Sequence, residues 1–144
     1  MTDDNQASAL RDDNAVDTED VEPGGFQKLI GYDVVDWGPG HAVLTIDLGG
    51  HHGNRHGHVH GGVLMTLLDA ACTRAGSVDP QSGAIRRTAT VSMTTNFLAP
   101  AKECRLKAIG RKTGGGRRIF FAAADIFDED DNLIASAVAT CRYS

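Results

Sequence analysis

A chain of 144 residues is long enough to bury a substantial core, and 41% hydrophobic with 23% charged residues is an ordinary globular composition. No apolar run approaches the roughly 18 residues of a membrane-spanning helix, and the acidic start lacks the charged-then-apolar pattern of a signal peptide. We therefore expect a cytoplasmic protein without a membrane partner.

The net charge of −5 is unevenly distributed along the chain. Residues 1–22 hold eight acidic side chains and one arginine, a charge of −7, which leaves +2 for the remainder. Because this acidic segment has few large apolar groups, we predict a disordered tail over 1–22 and a single folded domain over 23–144. The domain is too weakly basic for general nucleic-acid binding, but a few cations could surround an anionic small molecule.

The first half of the domain contains one predicted strand and one long predicted helix. Residues 26–30 could form a short helical turn, and the Trp-Gly-Pro-Gly sequence at 37–40 is typical of a turn. Residues 41–48 alternate between apolar and other side chains, which predicts a strand. A loop rich in glycine and histidine, 49–58, then leads into an apolar helix from about 59 to 77.

The second half is predicted to contain only strands and turns. Four strands are expected at 88–98, 102–112, 117–127 and 133–142, with a glycine turn at 113–116 and an acidic turn at 129–132. A helix followed by a meander of strands rich in small residues indicates an α+β fold. We expect an antiparallel sheet of about five to six strands wrapped around one central helix.

Asp69 is the one charged residue between residues 59 and 72. An unpaired carboxylate costs several kcal/mol when removed from water, so we expect Asp69 to have a chemical role. The alternative is a helix carboxylate that faces solvent or pairs with a cation such as Arg74. On helical spacing Asp69 lies about 100° to 140° from the stripe predicted to press into the sheet. That stripe comprises His60, Leu64, Leu67, Leu68, Ala71 and Ala75.

The three cysteines, Cys72, Cys104 and Cys141, are widely spaced and include no Cys-x-x-Cys pair. This pattern favours reduced thiols in or near the core over disulfides or a zinc site.

Residues 54–62 read Asn-Arg-His-Gly-His-Val-His-Gly-Gly, and Asp69 follows seven residues after Gly62. This pattern closely resembles the signature of the PaaI-like hotdog-fold acyl-CoA thioesterases. The resemblance continues through residues 31–48, 88–92 and 96–100 and covers essentially residues 26–142. The acidic tail lies outside it.

The resemblance implies a hotdog homodimer that hydrolyses acyl-CoA thioesters to free CoA and a carboxylic acid, with no metal or redox cofactor. It places the family's catalytic roles on Asn54, His60, Gly61, Asp69 and Thr90. Asp69 would act as general base or nucleophile, and the Thr90 hydroxyl would hold the water. Each residue also has a structural alternative, such as helix capping for His60 or a loop turn for Asn54.

Helix geometry is independently compatible with the chemistry that the resemblance implies. The first amides of a helix are free donors at the positive end of its dipole, so the Gly61 N–H could polarise a thioester carbonyl, and the adjacent Gly62 is a further substrate-binding candidate. Gly61 and Asp69 are eight residues apart, which separates their backbones by about 12 Å along the helix axis. A two-fold interface could bring Asp69 of one subunit to Gly61 of the other, and two such dimers could form a tetramer.

Coenzyme A carries phosphates, for which arginine is well suited. The candidate phosphate-binding residues are Arg86, Arg87, Arg111, Lys112, Arg117 and Arg118. A solvated, charged hairpin turn is the alternative for the cluster at 111–118.

All six histidines lie between residues 41 and 60, so a metal site is an alternative. Most of them occupy one glycine-rich loop, which disfavours zinc, and His51, His56 and His58 have no assigned role. Two other functions stay open. One is a non-catalytic acyl-CoA-binding hotdog protein that regulates or sequesters, and the other is a hydro-lyase on the same fold.

Overall fold

Six antiparallel strands form one sheet in the order β1-β2-β4-β5-β6-β3, and a single long helix packs across it. The computed structural model describes residues 21–144, so the predicted acidic tail lies almost entirely outside the described residues. The elements are α1 (Gly25–Ile30), β1 (Asp33–Gly38), β2 (His41–Asp47), a 3₁₀ turn (Gly50–His52), α2 (Gly61–Ala75), β3 (Thr88–Phe97), β4 (Arg105–Gly115), β5 (Ile119–Phe127) and β6 (Leu133–Tyr143). The predicted α+β architecture is confirmed.

Helix α2 supplies the centre of the hydrophobic core. Its buried side chains are Val63, Leu64, Leu67, Leu68, Ala70, Ala71, Cys72 and Ala75. The strands meet this helix with small residues, including Ala108 and Gly110 of β4 and Ala122 and Ala124 of β5. Because these side chains are short, the helix backbone can approach the sheet closely.

Gly110 marks the closest approach between helix and sheet. A Cβ added there would lie 2.3 Å from the carbonyl oxygen of Ala71. Since that obstacle is backbone, Gly110→Ala is expected to lower the free energy of unfolding by about 3 kcal/mol. Gly116→Ala is the control, because nothing lies within 4 Å of a Cβ at that position. Denaturant unfolding of both variants checks the prediction, and equal stabilities would contradict this packing.

Strand β1 was not predicted, and the predicted turn at 37–40 is partly wrong. Trp37 and Gly38 belong to β1, and only Pro39 and Gly40 form the turn. The pairing of β1 with β2 shifts register between Val34 and Asp36, which breaks the alternation that marks a strand in a sequence.

The connectivity also differs from the predicted meander. Strand β3 lies at the sheet edge beside β6 rather than next to β4, because the α2 crossover carries the chain from β2 to the opposite edge. The predicted glycine turn at 113–116 is displaced as well. Strand β4 continues through Gly115 after a register shift near Lys112, so the turn starts at Gly116.

Two predictions about α2 need correction. The helix begins at Gly61 rather than near residue 59, and His60 is exposed instead of pressing into the sheet. The physical reason is that His60 is the N-cap residue, whose backbone is extended (φ −67°, ψ 136°). The rest of the predicted stripe is buried.

The predicted location of the three cysteines in or near the core is confirmed. Cys72 and Cys141 are fully buried, Cys104 is half-buried, and all three thiols are free. Burial raises the pKa of the Cys72 thiol to about 12. Among the helices of residues 21–144, none is long and apolar enough to cross a membrane.

Candidate functional site

The loop before α2 is a small closed hairpin. The His60 N–H donates to the carbonyl of His52 (2.7 Å), and the Asn54 N–H donates to the carbonyl of His58 (2.7 Å). Gly57 closes the tip in the left-handed conformation (φ 77°), which glycine adopts at little cost. The loop therefore presents Asn54 near its tip and delivers the chain directly to the first turn of α2.

The two polar atoms of the Asn54 side-chain amide differ in their hydrogen bonding. Its Oδ1 accepts hydrogen bonds from the N–H groups of His56 (2.9 Å) and His58 (3.2 Å). These two bonds fix the plane of the amide, and the Nδ2 group, which has no acceptor among residues 21–144, is available as a donor. Asn54 can therefore stabilise the loop turn through Oδ1 and still donate to a substrate through Nδ2.

Of the first three N–H groups of α2, two donate to His60 and one has no acceptor among the described residues. The Nδ1 atom of His60 accepts from the Gly62 N–H (2.8 Å), and the His60 carbonyl accepts from the Val63 N–H (2.9 Å). Within residues 21–144 no acceptor is found for the Gly61 N–H. The predicted contribution of Gly62 to substrate binding therefore cannot use its N–H while His60 caps the helix.

Asn54 and Gly61 line a common cleft of about 360 Å³. Leu64 and Phe97 provide apolar walls, and His58 contributes a polar one. A Cβ added at Gly61 would lie 3.3 Å from the Phe97 ring, so the glycine keeps this wall close to the helix terminus. The cleft thus combines two hydrogen-bond donors with an apolar surface, a combination suited to binding a carbonyl attached to an apolar group.

Asp69 lies away from this cleft and is held by Thr90. The Thr90 hydroxyl on β3 donates to Oδ1 of Asp69, which is half-buried on α2. The predicted alternative of a salt bridge to Arg74 is not formed among the described residues, and the Arg74 guanidinium instead donates to Oε1 of Gln27 (3.2 Å). Among the described residues Asp69 has no ion pair. Thr90 therefore orients one carboxylate oxygen and leaves the other for a further partner.

Strand β3 connects the two halves of the candidate site. Thr90 near its start contacts Asp69, and Phe97 at its end packs against Gly61. Its outer edge is unpaired among the described residues, and Val91 (57%) and Phe97 (54%) are exposed. An exposed apolar edge strand favours pairing with another chain.

The predicted phosphate cluster divides into groups with different surroundings. Arg86, Arg117 and Arg118 line an open cleft beside the β4–β5 turn, together with Asp79. Arg86 donates to the Arg117 carbonyl (3.2 Å), and its guanidinium lies 3.5 Å from the centre of the Tyr143 ring.

The other members of the cluster do not line that cleft. Arg111 pairs with Asp125 (3.1 Å), and the Lys112 ammonium donates to the Tyr143 hydroxyl (3.3 Å). Arg87 is exposed next to Arg86. Three of the six candidates thus face one open surface. That surface also contains Asp79, whose pKa is lowered by N–H groups of Ser82 and Gln81.

The histidines are dispersed rather than gathered around one point. His41 contacts Asp36 (3.3 Å), and the ring of His52 is buried against backbone groups. In the part of the chain that the structure describes, no group of three or more potential ligands is placed to hold a metal ion.

Sequence reasoning did not single out His52 or Phe97. His52 was one of six clustered histidines, and its burial depends on α1, a distant segment. Phe97 is the last residue of a strand whose alternation gave no reason to associate it with Gly61.

An antiparallel sheet wrapped around a central helix, with the helix N-terminus at an open cleft, defines the hotdog fold. The chain belongs to the thioesterase superfamily, whose family model matches residues 56–135.

Solved structures share this fold. The PaaI protein of the Escherichia coli phenylacetic acid degradation operon is 22% identical, with a TM-score of 0.76 over 84% of this chain and 85% of that chain. A mutant of the phenylacetic acid degradation protein PaaI from Thermus thermophilus is 23% identical, with a TM-score of 0.74. The match covers 83% of this chain and 98% of that chain. A conserved protein from Pseudomonas aeruginosa is 24% identical, with a TM-score of 0.75. The match covers 85% of this chain and 95% of that chain. No curated protein matches the chain.

Proposed function

We propose that this protein is an acyl-CoA thioesterase with composite active sites at a homodimer interface. The observation that carries the proposal is that the candidate catalytic groups lie at two separate places along α2. Within the described part of the chain, the Gly61 N–H and the Asn54 Nδ2 group have no acceptor and lie on one cleft, whereas the Asp69–Thr90 pair lies two turns further along the helix. One chain alone therefore separates the groups that one thioester carbonyl needs.

Symmetric pairing of β3 with its copy would join these groups. In an antiparallel arrangement with Thr94 opposite its own copy, the bulge between Thr90 and Ser92 lets Thr90 lie opposite the partner's Phe97. Side chains directly opposite in such a pair are about 5 Å apart and point to the same face. Because Thr90 contacts Asp69 and Phe97 contacts Gly61, this pairing would bring Asp69 toward the helix terminus of the partner.

The proposed chemistry assigns one task to each group. The Gly61 N–H and Asn54 Nδ2 donate to the thioester oxygen and stabilise the negative charge that develops as the carbonyl carbon is attacked. Asp69 removes a proton from water or attacks the carbon itself. The Thr90 hydroxyl, which the family resemblance assigns to holding the water, instead holds the carboxylate in place by donating to it. His60 keeps the helix terminus ordered through its bond to the Gly62 N–H. Collapse of the intermediate expels CoA as thiolate.

Two dimers could associate through the outer face of the sheet. Phe121 and Val138 are 48% and 61% exposed on adjacent strands β5 and β6. An apolar patch of this kind favours contact with another protein surface, and we include a dimer of dimers in the proposal.

A thiol-release assay on the full chain tests the proposed activity. Aryl, short, medium and long acyl-CoAs are supplied separately, and at least one is expected to release free CoA without added metal or redox cofactor. Binding of acyl-CoA without release would contradict the enzyme assignment and favour an acyl-CoA-binding regulator. Hydration or dehydration of the acyl group would favour a hydro-lyase.

The arginines of the open cleft are proposed to bind CoA phosphates. Arg118→Gln is expected to raise KM for an acyl-CoA about fivefold, since one charge-assisted contact is lost, and to leave kcat unchanged. The same acyl group on N-acetylcysteamine, which has no phosphates, is the matched control and should show no change. Equal effects on both substrates would contradict phosphate recognition by Arg118.

A further inference from the structure

His52 is a buried histidine whose two ring nitrogens both have backbone partners. The side chain belongs to a residue that is only 3% exposed. Its Nδ1 accepts from the Gly49 N–H (2.9 Å), and its Nε2 lies 2.6 Å from the carbonyl oxygen of Ile30. Since a carbonyl can only accept, Nε2 must donate, and since Gly49 donates, Nδ1 must be unprotonated. The ring therefore fits this site as the neutral Nε2–H tautomer.

The backbone of His52 is tied to the candidate site. Its carbonyl accepts the N–H of His60, the N-cap residue of α2, and its own N–H donates to the Gly49 carbonyl (3.1 Å). The adjacent Gly53 forms a bridge with Val59. His52 thus stands at the base of the hairpin that presents Asn54 and ends at Gly61.

The ring joins this base to a distant part of the chain. Ile30 is the last residue of α1, 22 positions earlier, and its carbonyl lies at the helix end where intrahelical donors are missing. Within residues 21–144, the exposed hairpin tip (54–58) is hydrogen-bonded only to itself. At the base, the Val59 N–H donates to the carbonyl of Ala101 (2.7 Å), and the side chain of His52 is the second long-range hydrogen-bonded anchor of the hairpin.

We propose that His52 is a positioning residue that holds the Asn54 amide and the Gly61 N–H in the geometry needed for carbonyl polarisation. This inference rests on the proposed thioesterase function. Misplacement of such donors by about 1 Å is enough to cost roughly 100-fold in rate. The donors act most strongly as charge develops on oxygen, so their displacement lowers kcat more than it weakens substrate binding.

Three substitutions separate the two ring hydrogen bonds. His52→Asn keeps an acceptor near the Nδ1 position, His52→Gln keeps a donor near the Nε2 position, and His52→Phe keeps the approximate shape but loses both. The matched control is His56→Asn in the same loop. The His56 side chain is exposed, and its ring makes no hydrogen bond within residues 21–144.

We expect His52→Phe to lower kcat about 100-fold with KM changed less than about twofold, and the Asn and Gln variants to fall between it and wild type. His56→Asn should behave as wild type. If His52→Phe does not fold, kcat and KM of His52→Asn and His52→Gln test the proposal in its place. Wild-type kcat in both, or a rise in KM with unchanged kcat, overturns the proposal.

NMR distinguishes failure of this inference from failure of the proposed function. If wild type releases no thiol with any acyl-CoA, the thioesterase assignment fails, and the positioning role is then read from resonances alone. The His52 ring should give the Nε2–H tautomer at neutral pH. The Gly61 amide and the Asn54 side-chain amide should shift in His52→Asn and not in His56→Asn. A different tautomer, or unchanged resonances in His52→Asn, overturns the positioning role.

Discussion

Replacing Asp69 with asparagine is expected to lower kcat by about 10²- to 10⁴-fold, the range over which a positioned base contributes to catalysis. Asparagine has nearly the same shape and can still accept the Thr90 hydrogen bond, but it cannot take a proton from water or act as an anionic nucleophile. Steady-state thiol release at several substrate concentrations measures the effect. Melting temperature and elution volume should stay close to those of wild type.

Asp130→Asn provides the control for the Asp69 variant. Asp130 is exposed in the β5–β6 turn, and among the described residues its backbone N–H, but not its carboxylate, is hydrogen-bonded. The same chemical change there should leave kcat and KM unchanged. Full turnover by Asp69→Asn would remove Asp69 from the mechanism.

Gly61→Pro is expected to lower kcat by about 10²- to 10³-fold, the usual cost of losing one oxyanion donor. Proline lacks the N–H that the mechanism uses, yet it is well tolerated at the first position of a helix. His60 already has the extended backbone (ψ 136°) that a following proline requires. The substitution therefore removes the donor with little demand on the local backbone.

Gly61→Ala controls for the added side chain. Both alanine and proline place a Cβ 3.3 Å from the Phe97 ring, which must shift by a few tenths of an ångström, but alanine keeps the N–H. We expect Gly61→Ala to lose much less kcat than Gly61→Pro. Equal losses would show that crowding against Phe97, and not the amide, explains the effect.

Oxygen-18 labelling separates the two proposed roles of Asp69. In single turnover in labelled water, direct attack by water places the label only in the released acid. Attack by the carboxylate forms an anhydride at Asp69, and its hydrolysis can leave label in the aspartate. Mass spectrometry of the Asp69 peptide distinguishes the two.

Much of the fold is predictable from periodic patterns in the sequence. The alternation at residues 41–48 and the long apolar run before Gly76 correspond to β2 and α2. Prediction from these patterns failed where a β-bulge or register shift interrupts the alternation of side chains along a strand. The bulge near Val34 conceals β1, and the register shift near Lys112 displaces the following turn. The start of α2 was placed too early because the apolar run begins at Val59; the alternative of a capping role for His60 is the one that its bond to the Gly62 N–H supports.

The candidate site was predictable only in part, for a related reason. The spacing of Asn54, Gly61 and Asp69 is visible in the sequence, and helix geometry separates the last two. The hydrogen bond from Thr90 to Asp69 and the packing of Phe97 on Gly61 are long-range contacts made through β3. Such contacts depend on the α2 crossover that carries β3 to the sheet edge.

The central claim is that each active site takes Asp69 from one protomer and the Gly61 amide from the other, and subunit mixing tests it directly. Asp69→Asn and Gly61→Pro, each expected to be nearly inactive, are mixed in equal amounts, unfolded together and refolded. Half of the resulting dimers are mixed, and each mixed dimer holds one intact site of two, so activity should recover to roughly a quarter of wild type. No recovery, with mixed dimers demonstrated by mass spectrometry, would contradict a site shared between protomers.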